Sequence, residues 1–356
     1  MASLDLIGIG ALNIDRLYRV RRILEDGEEM VEAWAVEPGG SAANTVYALA
    51  RWGLRCGFIG MVGADAEGQQ LLASFAEAGV DTTGVVRKVG APTGQALCLV
   101  AGSSLHSPPT RASGPFVPTH PTWASGPSRS IYLLPGANGL LTPQEIEQGY
   151  IARARWLHLS SFAAEGPRRA QEAAVAALSP EAGVSLSLGA LYAHLGLTTL
   201  APILERTTIL FANASELREL TGQDLVGGAE ACLRAGCRTV VVTLGEGLAE
   251  PSLPAPEVGA HLDAPLRAPL ACYIASPEGH QTVAALAIHE GPAVDTTGAG
   301  DAFAAGFLLG HFLGWPPPRC GSLGHVAAGF CLQALGARAG LPSRQALLER
   351  HSQLYP

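Results

Sequence analysis

The chain is almost empty of lysine. Its basic residues, 23 against 31 acidic ones for a formal net charge of −8, are arginine except for Lys88. A G-x-x-x-x-G-K-[ST] phosphate loop is therefore excluded, and so is a Schiff-base lysine other than Lys88. Charged residues make up only 15% of the sequence, with no basic stripe to neutralise a phosphate backbone, so no nucleic-acid partner is expected. No run reaches the ~18 uninterrupted apolar residues of a spanning helix, which argues against a membrane partner. The N-terminal MASLDLIGIG lacks the basic stretch and long apolar core of a signal peptide. Seven cysteines, at 56, 98, 232, 237, 272, 320 and 331, form no C-x-x-C pair and read as reduced, mostly buried thiols of a cytoplasmic protein. The ten histidines show no H-E-x-x-H or other close metal spacing, and no G-x-S-x-G elbow occurs.

What is present alternates. Apolar strand-like runs at 4–10, 56–62, 155–160, 184–188, 207–212 and 238–244 are separated by helical patterns at 41–53, 67–79 and 166–178. The last third turns helical at 299–313, 317–335 and 343–352. Fully apolar strands between helices signal a mostly parallel sheet covered on both faces, hence an α/β doubly wound fold. The stretches 16–37 and 84–100 have β-type flanks around turns and read as a small sheet standing over one edge. Residues 102–128, with six prolines, six serines and a repeated ASGP, read as an irregular insertion. The same holds for 249–272, which carries five prolines and neither a helical nor a strand period.

Chemistry concentrates at strand ends and helix starts. In AVDTTGAGDAFAAGF (293–307), Gly298, Ala299 and Gly300 present bare backbone N–H groups where a helix begins, an arrangement that receives anions. Asp301 at the same point suits a base that takes the proton of a hydroxyl attacking a phosphoryl group. The alternative is a helix cap with a flexible turn. PGGSAANT (38–45) sets Gly39 and Gly40 before a second helix, with Asn44 one turn in, or is simply a loop-to-helix junction. Asn13 and Asp15 flank Ile14; in extended backbone they share a face, and an amide beside a carboxylate suits sugar hydroxyls. A polar turn is the plainer reading. NASE (213–216) reads either as a capping box or as Asn213 and Glu216 near a Mg²⁺ ion held through water. VTLGEG (242–247) offers Thr243, Gly245 and Gly247 to a phosphate. GIGALN (8–13) has Asn13 where a dinucleotide fingerprint needs its third glycine, so that site is not expected.

Taken together, Asn13 and Asp15, GGSAAN (39–44), VGADAEG (62–68), PGAN (135–138), NASE, VTLGEG and DTTGAGDAF (295–303) resemble the ribokinase or PfkB family of small-molecule kinases, in the family's order. The resemblance implies a single ribokinase-like domain over 1–356, an αβα sandwich with a small β lid over a sugar or nucleoside, and ATP along the C-terminal half. It implies Asp301 as base, Gly298 to Gly300 as anion hole, and Asn213 and Glu216 near Mg²⁺. It also implies a monovalent cation such as K⁺ at Asp295 and Thr297, with GARAG (336–340) as the second loop of that site. A homodimer through the lid is a further expectation. Ser187-Leu188 stands where members often carry Asp-Pro, and the glycine turn after VTL is shortened. A kinase for a sugar or sugar acid is the first reading, and a nucleoside kinase, with Tyr18 or Trp34 against the base, the second. A sugar-binding regulatory protein without catalysis is the third.

Overall fold

In the run TVVVT, Val240 and Val242 belong to one core cluster and Val241 to another, and none of the three is exposed. Strand side chains alternate sides, so an all-valine strand needs an apolar layer above and below it. The computed structural model of the protein supplies both layers. It describes residues 3–101, 128–245, 269–288 and 293–356.

The strands are β1 (Leu6–Ile9), β2 (Asn13–Val20), β3 (Val31–Gly39), β4 (Cys56–Gly63), β5 (Asp81–Lys88), β6 (Gly94–Ala101), β7 (Ser128–Leu134), β8 (Trp156–Ser160), β9 (Gly183–Ser187), β10 (Ile209–Asn213), β11 (Thr239–Thr243), β12 (Leu270–Ser276) and β13 (Gly279–Ala284). Nine of them form one sheet in the order β13-β12-β11-β10-β9-β8-β1-β4-β5. Pairing is parallel from β11 to β5, and antiparallel only where β12 and β13 close the edge. Strand β1 lies between β4 and β8, so the chain winds first to one side of it and then to the other. Such a reversal opens a crevice at the carboxyl ends of the strands.

The helices are α1 (Ser41–Arg51), α2 (Ala66–Glu77), α3 (Gln148–Ile151), α4 (Glu165–Ala177), α5 (Gly189–Ala193), α6 (Gly196–Leu204), α7 (Ala214–Thr221), α8 (Leu225–Arg234), α9 (Ala299–Phe312), α10 (Pro317–Cys331) and α11 (Arg344–Leu354). Ala170 and Ala174 of α4 and Leu217 and Leu220 of α7 pack on one face of the sheet, around Leu157, Leu210, Val240 and Val242. Val46 and Leu49 of α1, Phe303 and Phe307 of α9 and Leu323 and Val326 of α10 cover the other, around Phe58, Val241 and Ile274. Helix α9 is buried continuously from Ala302 to Gly310 because α1 and α10 flank it.

A second sheet, β3-β2-β6-β7, stands over the crevice. Here β2 pairs antiparallel with β3 and parallel with β6, and β6 pairs antiparallel with β7. The stretch expected to supply one lid hairpin, 84–100, is divided instead. Strand β5 joins the large sheet beside β4, where Val85 and Val86 pack against the two cores, and only 94–100 enters the lid. A strand period cannot say which neighbour a strand takes, and Thr93 is drawn away by Asp65, which accepts from its N–H at 2.8 Å and from its hydroxyl at 2.6 Å. The fourth lid strand is β7, the segment that follows the first insertion. Residues 102–127 and 249–268 of the expected insertions lie outside the described residues. Leu270 to Cys272, expected to be irregular, begin β12, whose LACYIAS run is too short within 249–272 to show a period. Helix α10 ends at Cys331 rather than at 335, where the chain turns into the GARAG loop.

Ala101 and Ser128 face each other at the open ends of β6 and β7. A short turn can therefore join them. Replacing 103–127 by a four-residue turn shortens the closed loop by about two and a half halvings, a stabilisation of roughly 1.5 kcal/mol. We expect an unchanged or slightly higher thermal midpoint; loss of cooperative unfolding would show that the fold depends on the segment.

Candidate active site

The crevice and lid enclose a cavity of about 900 Å³. Its walls come from the ends of β1, β8, β9, β10 and β11, the starts of α1 and α9, and the inner face of the lid. Gly298, Ala299 and Gly300 line it together with Asp301. Gly298 adopts φ 76°, and a Cβ there would lie 2.6 Å from the Cα of Ala337, so only glycine fits. A Cβ on Gly300 would meet nothing within 4 Å, so the open space at that amide is free for a ligand. The first N–H groups of a helix have no carbonyl behind them, and the helix dipole makes that end positive. Such a helix start favours an anion.

Asp301 is partly buried, and both its oxygens are engaged from α1. Oδ1 accepts from the Ser41 hydroxyl at 2.7 Å and Oδ2 from the Asn44 amide at 2.9 Å. Thr45 donates to the Asp301 carbonyl at 3.2 Å. Burial pushes the Asp301 carboxyl above the usual carboxylate range, opposed by Ser41 and Asn44 and by the charges of Arg129 and Arg338. A carboxylate oxygen has room for a further donor, so Asp301 can still accept a hydroxyl proton from the cavity.

Asn13 and Asp15 open β2 and share the inner face of the lid, as the i, i+2 spacing requires. Asn138 holds Asn13 in place: its Oδ1 accepts from Leu12 N–H and its amide donates to Leu12 O and to Asn13 Oδ1, each at 2.9 Å. Asp15 is buried, and burial raises its carboxyl to about 7; Arg338 opposes the shift, while Asp301, Asp295 and Glu37 add to it. Gly39 does not line the cavity. It lies behind Asp15, where a Cβ would stand 2.0 Å from Oδ2, so glycine makes room for that carboxylate. Gly40 lines the cavity with φ 103° and turns the chain into α1.

Towards the other end, Asn213 and Glu216 form a complete capping box. Asn213 Oδ1 accepts from Glu216 N–H at 2.8 Å, and Glu216 Oε2 accepts from Asn213 N–H at 3.0 Å. Both also line the cavity, so the capping geometry aims Glu216 into it. Burial raises the Glu216 carboxyl, opposed by the Asn213 N–H and Arg129. Thr243 and Gly245 line the same end, while Gly247 lies outside the described residues. Asp295 is fully buried behind the wall. Its Oδ1 accepts from Thr297 N–H at 2.9 Å and from the Thr297 hydroxyl at 2.8 Å, and its Oδ2 accepts from Gly336 N–H at 2.9 Å. The carboxylate thus ties the GARAG loop to the start of α9.

Two residues escaped the sequence reading. Arg129 of β7 donates to Thr296 O at 2.9 Å and is the one lysine or arginine lining the cavity among the described residues. It sits beside an insertion, outside any motif. Ser41 was inside GGSAAN, but only the fold brings its hydroxyl to Asp301. The lid aromatics fail as base-stacking groups: Tyr18 and Trp34 face each other across β2 and β3 on the outer side, with Trp34 68% exposed.

The pfkB family carbohydrate kinase pattern matches residues 3–106, 123–247 and 268–344. An uncharacterised sugar kinase from Archaeoglobus fulgidus is 31% identical over 295 residues, 83% of this chain and 98% of that protein. Among solved structures, adenosine kinase from Sinorhizobium meliloti superposes with a TM-score of 0.75 at 21% identity, covering 98% of this chain and 99% of that one. An E. coli protein in complex with ATP and Mg²⁺ superposes at 0.73 with 18% identity, again over 98% and 99%. The aspartate at a helix start, the lidded crevice and the matched pattern agree: the chain belongs to the pfkB family of carbohydrate kinases and is a phosphotransferase with an alcohol group as acceptor.

Proposed function

We propose that the protein transfers the γ-phosphoryl group of ATP to a hydroxyl of a sugar or sugar acid, with Asp301 as the base. The observation that carries this reading is the pairing of Asp301, held by Ser41 and Asn44, with the bare amides of Gly298 to Gly300 in one cavity. The acceptor lies under the lid against Asn13, Asp15, Asn44 and Gly40, whose small polar groups match hydroxyls. Its oxygen attacks the phosphorus, its proton passes to Asp301, and ADP leaves; the helix start holds the charge of the group in transit. Gly39 contributes by seating Asp15.

Asn213, Thr243, Gly245 and Gly247 are our nucleotide-side residues. Among the described residues Asp15, Glu216 and Asp301 line the cavity against Arg129 alone, so a triphosphate entering it needs further positive charge. Mg²⁺ would supply that charge, held by Glu216 through water and by Asn213. Asp295 has no ion-pair partner among the described residues, which favours K⁺ beside Asp295 and Thr297. Seven buried, unpaired thiols support a cytoplasmic setting, and no helix among the described residues is long and apolar enough to cross a membrane.

A nucleoside acceptor is the second reading, favoured by the apolar inner lid wall of Ala96, Cys98, Ile131 and Leu133. The outer lid face exposes Trp34, Leu97, Tyr132 and Leu134, and we propose that a second copy covers it. Light scattering after gel filtration should give twice the chain mass, falling to one chain in Trp34→Glu; a monomeric parent contradicts this.

A panel of sugars, sugar acids and nucleosides assayed for ATP-dependent phosphorylation tests the function. We expect turnover on a sugar or sugar acid, lowered ~10²–10⁴-fold in Asp301→Asn with acceptor binding retained. Sugar binding without turnover in the parent would favour the regulatory reading instead. Asp15→Asn tests the acceptor site. A carboxyl raised from 3.8 to about 7 favours the folded state fully below the unfolded value and loses that advantage as pH rises through 7. The asparagine side chain mimics the protonated form, so the variant's thermal midpoint should exceed the parent's by more at pH 8 than at pH 5, the difference growing by roughly 2–5 °C. Its acceptor KM should rise. Equal midpoints at pH 8 would mean that Asp15 carries no burial cost.

A further inference from the structure

Behind the acceptor end of the cavity, Arg338 is only 8% exposed, and it is not a cavity-lining residue. It belongs to the GARAG loop, yet its side chain runs under α1 and α2. Nε donates to Asn44 Oδ1 at 2.9 Å, and Nη1 donates to Ser74 Oγ at 2.8 Å. The guanidinium lies over the Tyr47 ring, 4.6 Å from its centroid, with Phe75 at 5.8 Å. Nη2 is buried and has no hydrogen-bond partner among the described residues. Burying an arginine with one nitrogen unsatisfied is costly, and a merely structural role would be met more cheaply by an apolar side chain.

The reason lies in Asn44. A side-chain amide has one accepting and one donating end, and which end faces where is set by its neighbours. Arginine can only donate, so it fixes Oδ1 towards itself. The donating end then faces Asp301, which it reaches at 2.9 Å. An ionised Asp301 can only accept. Were the amide to turn over, two oxygens would confront each other across this contact, and the acceptor would meet the wrong group.

We propose that Arg338 is a positioning residue for phosphoryl transfer: it locks Asn44 in the one orientation that presents its amide N–H to the Asp301 base and to the acceptor. The role rests on the reading of Asp301 as base. Arg338 also places a positive charge among Asp15, Asp301 and Glu37, and remains charged itself. The charged and titratable groups facing Asp301 are Arg129 from the lid, Arg338 from the C-terminal loop, Asp15 from β2, Glu216 from α7 and Cys331 at the end of α10. Loss of the Arg338 charge raises the proton affinity of Asp301, because the compensating cation beside two carboxylates is gone.

The test compares Arg338→Gln and Arg338→Lys with the parent on an acceptor that the parent phosphorylates, following KM for acceptor and for ATP and the pH profile of kcat. Both variants should raise the acceptor KM at least fivefold with the ATP KM unchanged, since neither places an N–H on Asn44 Oδ1 while a second one anchors the group to Ser74. Only the glutamine variant should move the acid limb of the profile to higher pH; lysine keeps the charge. Unchanged acceptor KM in both, or equal displacement of both substrates, overturns the proposal and leaves Arg338 a structural residue. If glutamine prevents folding, the lysine variant, which keeps charge and most of the volume, decides by its acceptor KM alone. A parent without turnover on any acceptor overturns the kinase reading, and this role with it.

Discussion

Two hydrogen bonds, from Ser41 and Asn44 to Asp301, join residues 260 and 257 positions apart in the chain. They place a carboxylate, whose charge is expensive to bury, at the positive end of a helix and give it donors on both oxygens. Much of the architecture serves this meeting. Helices α1 and α9 pack side by side on the same face of the sheet, and both begin at the crevice where strand order reverses. Gly40 and Gly298 turn the chain into them through backbone that side chains rarely adopt. Asp295 then ties the start of α9 to the loop that carries Arg338.

The charge pattern of the cavity explains a division of labour. One end is walled by lid side chains and by Asn13, Asp15 and Asn44, with Arg338 behind them as the counter-charge. The other end is formed by capped helix starts and glycine turns, with Glu216 raised by burial; Arg129 of the lid is the single cationic side chain on the wall among the described residues. In a chain with one lysine, the groups this cavity offers a negative ligand are backbone amides and arginine rather than a lysine loop. The composition and the site are the same fact seen at two scales.

The strands and helices that face a continuous apolar layer were legible because burial on both sides leaves an unbroken apolar run. The motif residues were legible because turns with bare amides and caps need particular residue types at fixed spacing. What escaped was pairing. Residues 84–88 and 94–100 look like the two arms of one hairpin, yet Val85 and Val86 find the cores while the rest is drawn to β2. Arg129 escaped because nothing near it in sequence marks a charge that acts on a residue far away, and Arg338, although inside GARAG, gave no sign that its side chain reaches Asn44. Tyr18 and Trp34 were placed on the correct strands but on the wrong side, because two adjacent half-apolar faces cannot be told apart by alternation alone.

A crystal structure of the protein with a non-hydrolysable ATP analogue, Mg²⁺ and the preferred acceptor tests the central claim most directly. The account predicts one acceptor hydroxyl within hydrogen-bond reach of Asp301, about 2.6–3.2 Å, and in line with a γ-phosphate seated on the amides of Gly298 to Gly300. A γ-phosphate bound elsewhere, or an acceptor with no hydroxyl facing Asp301, would contradict it.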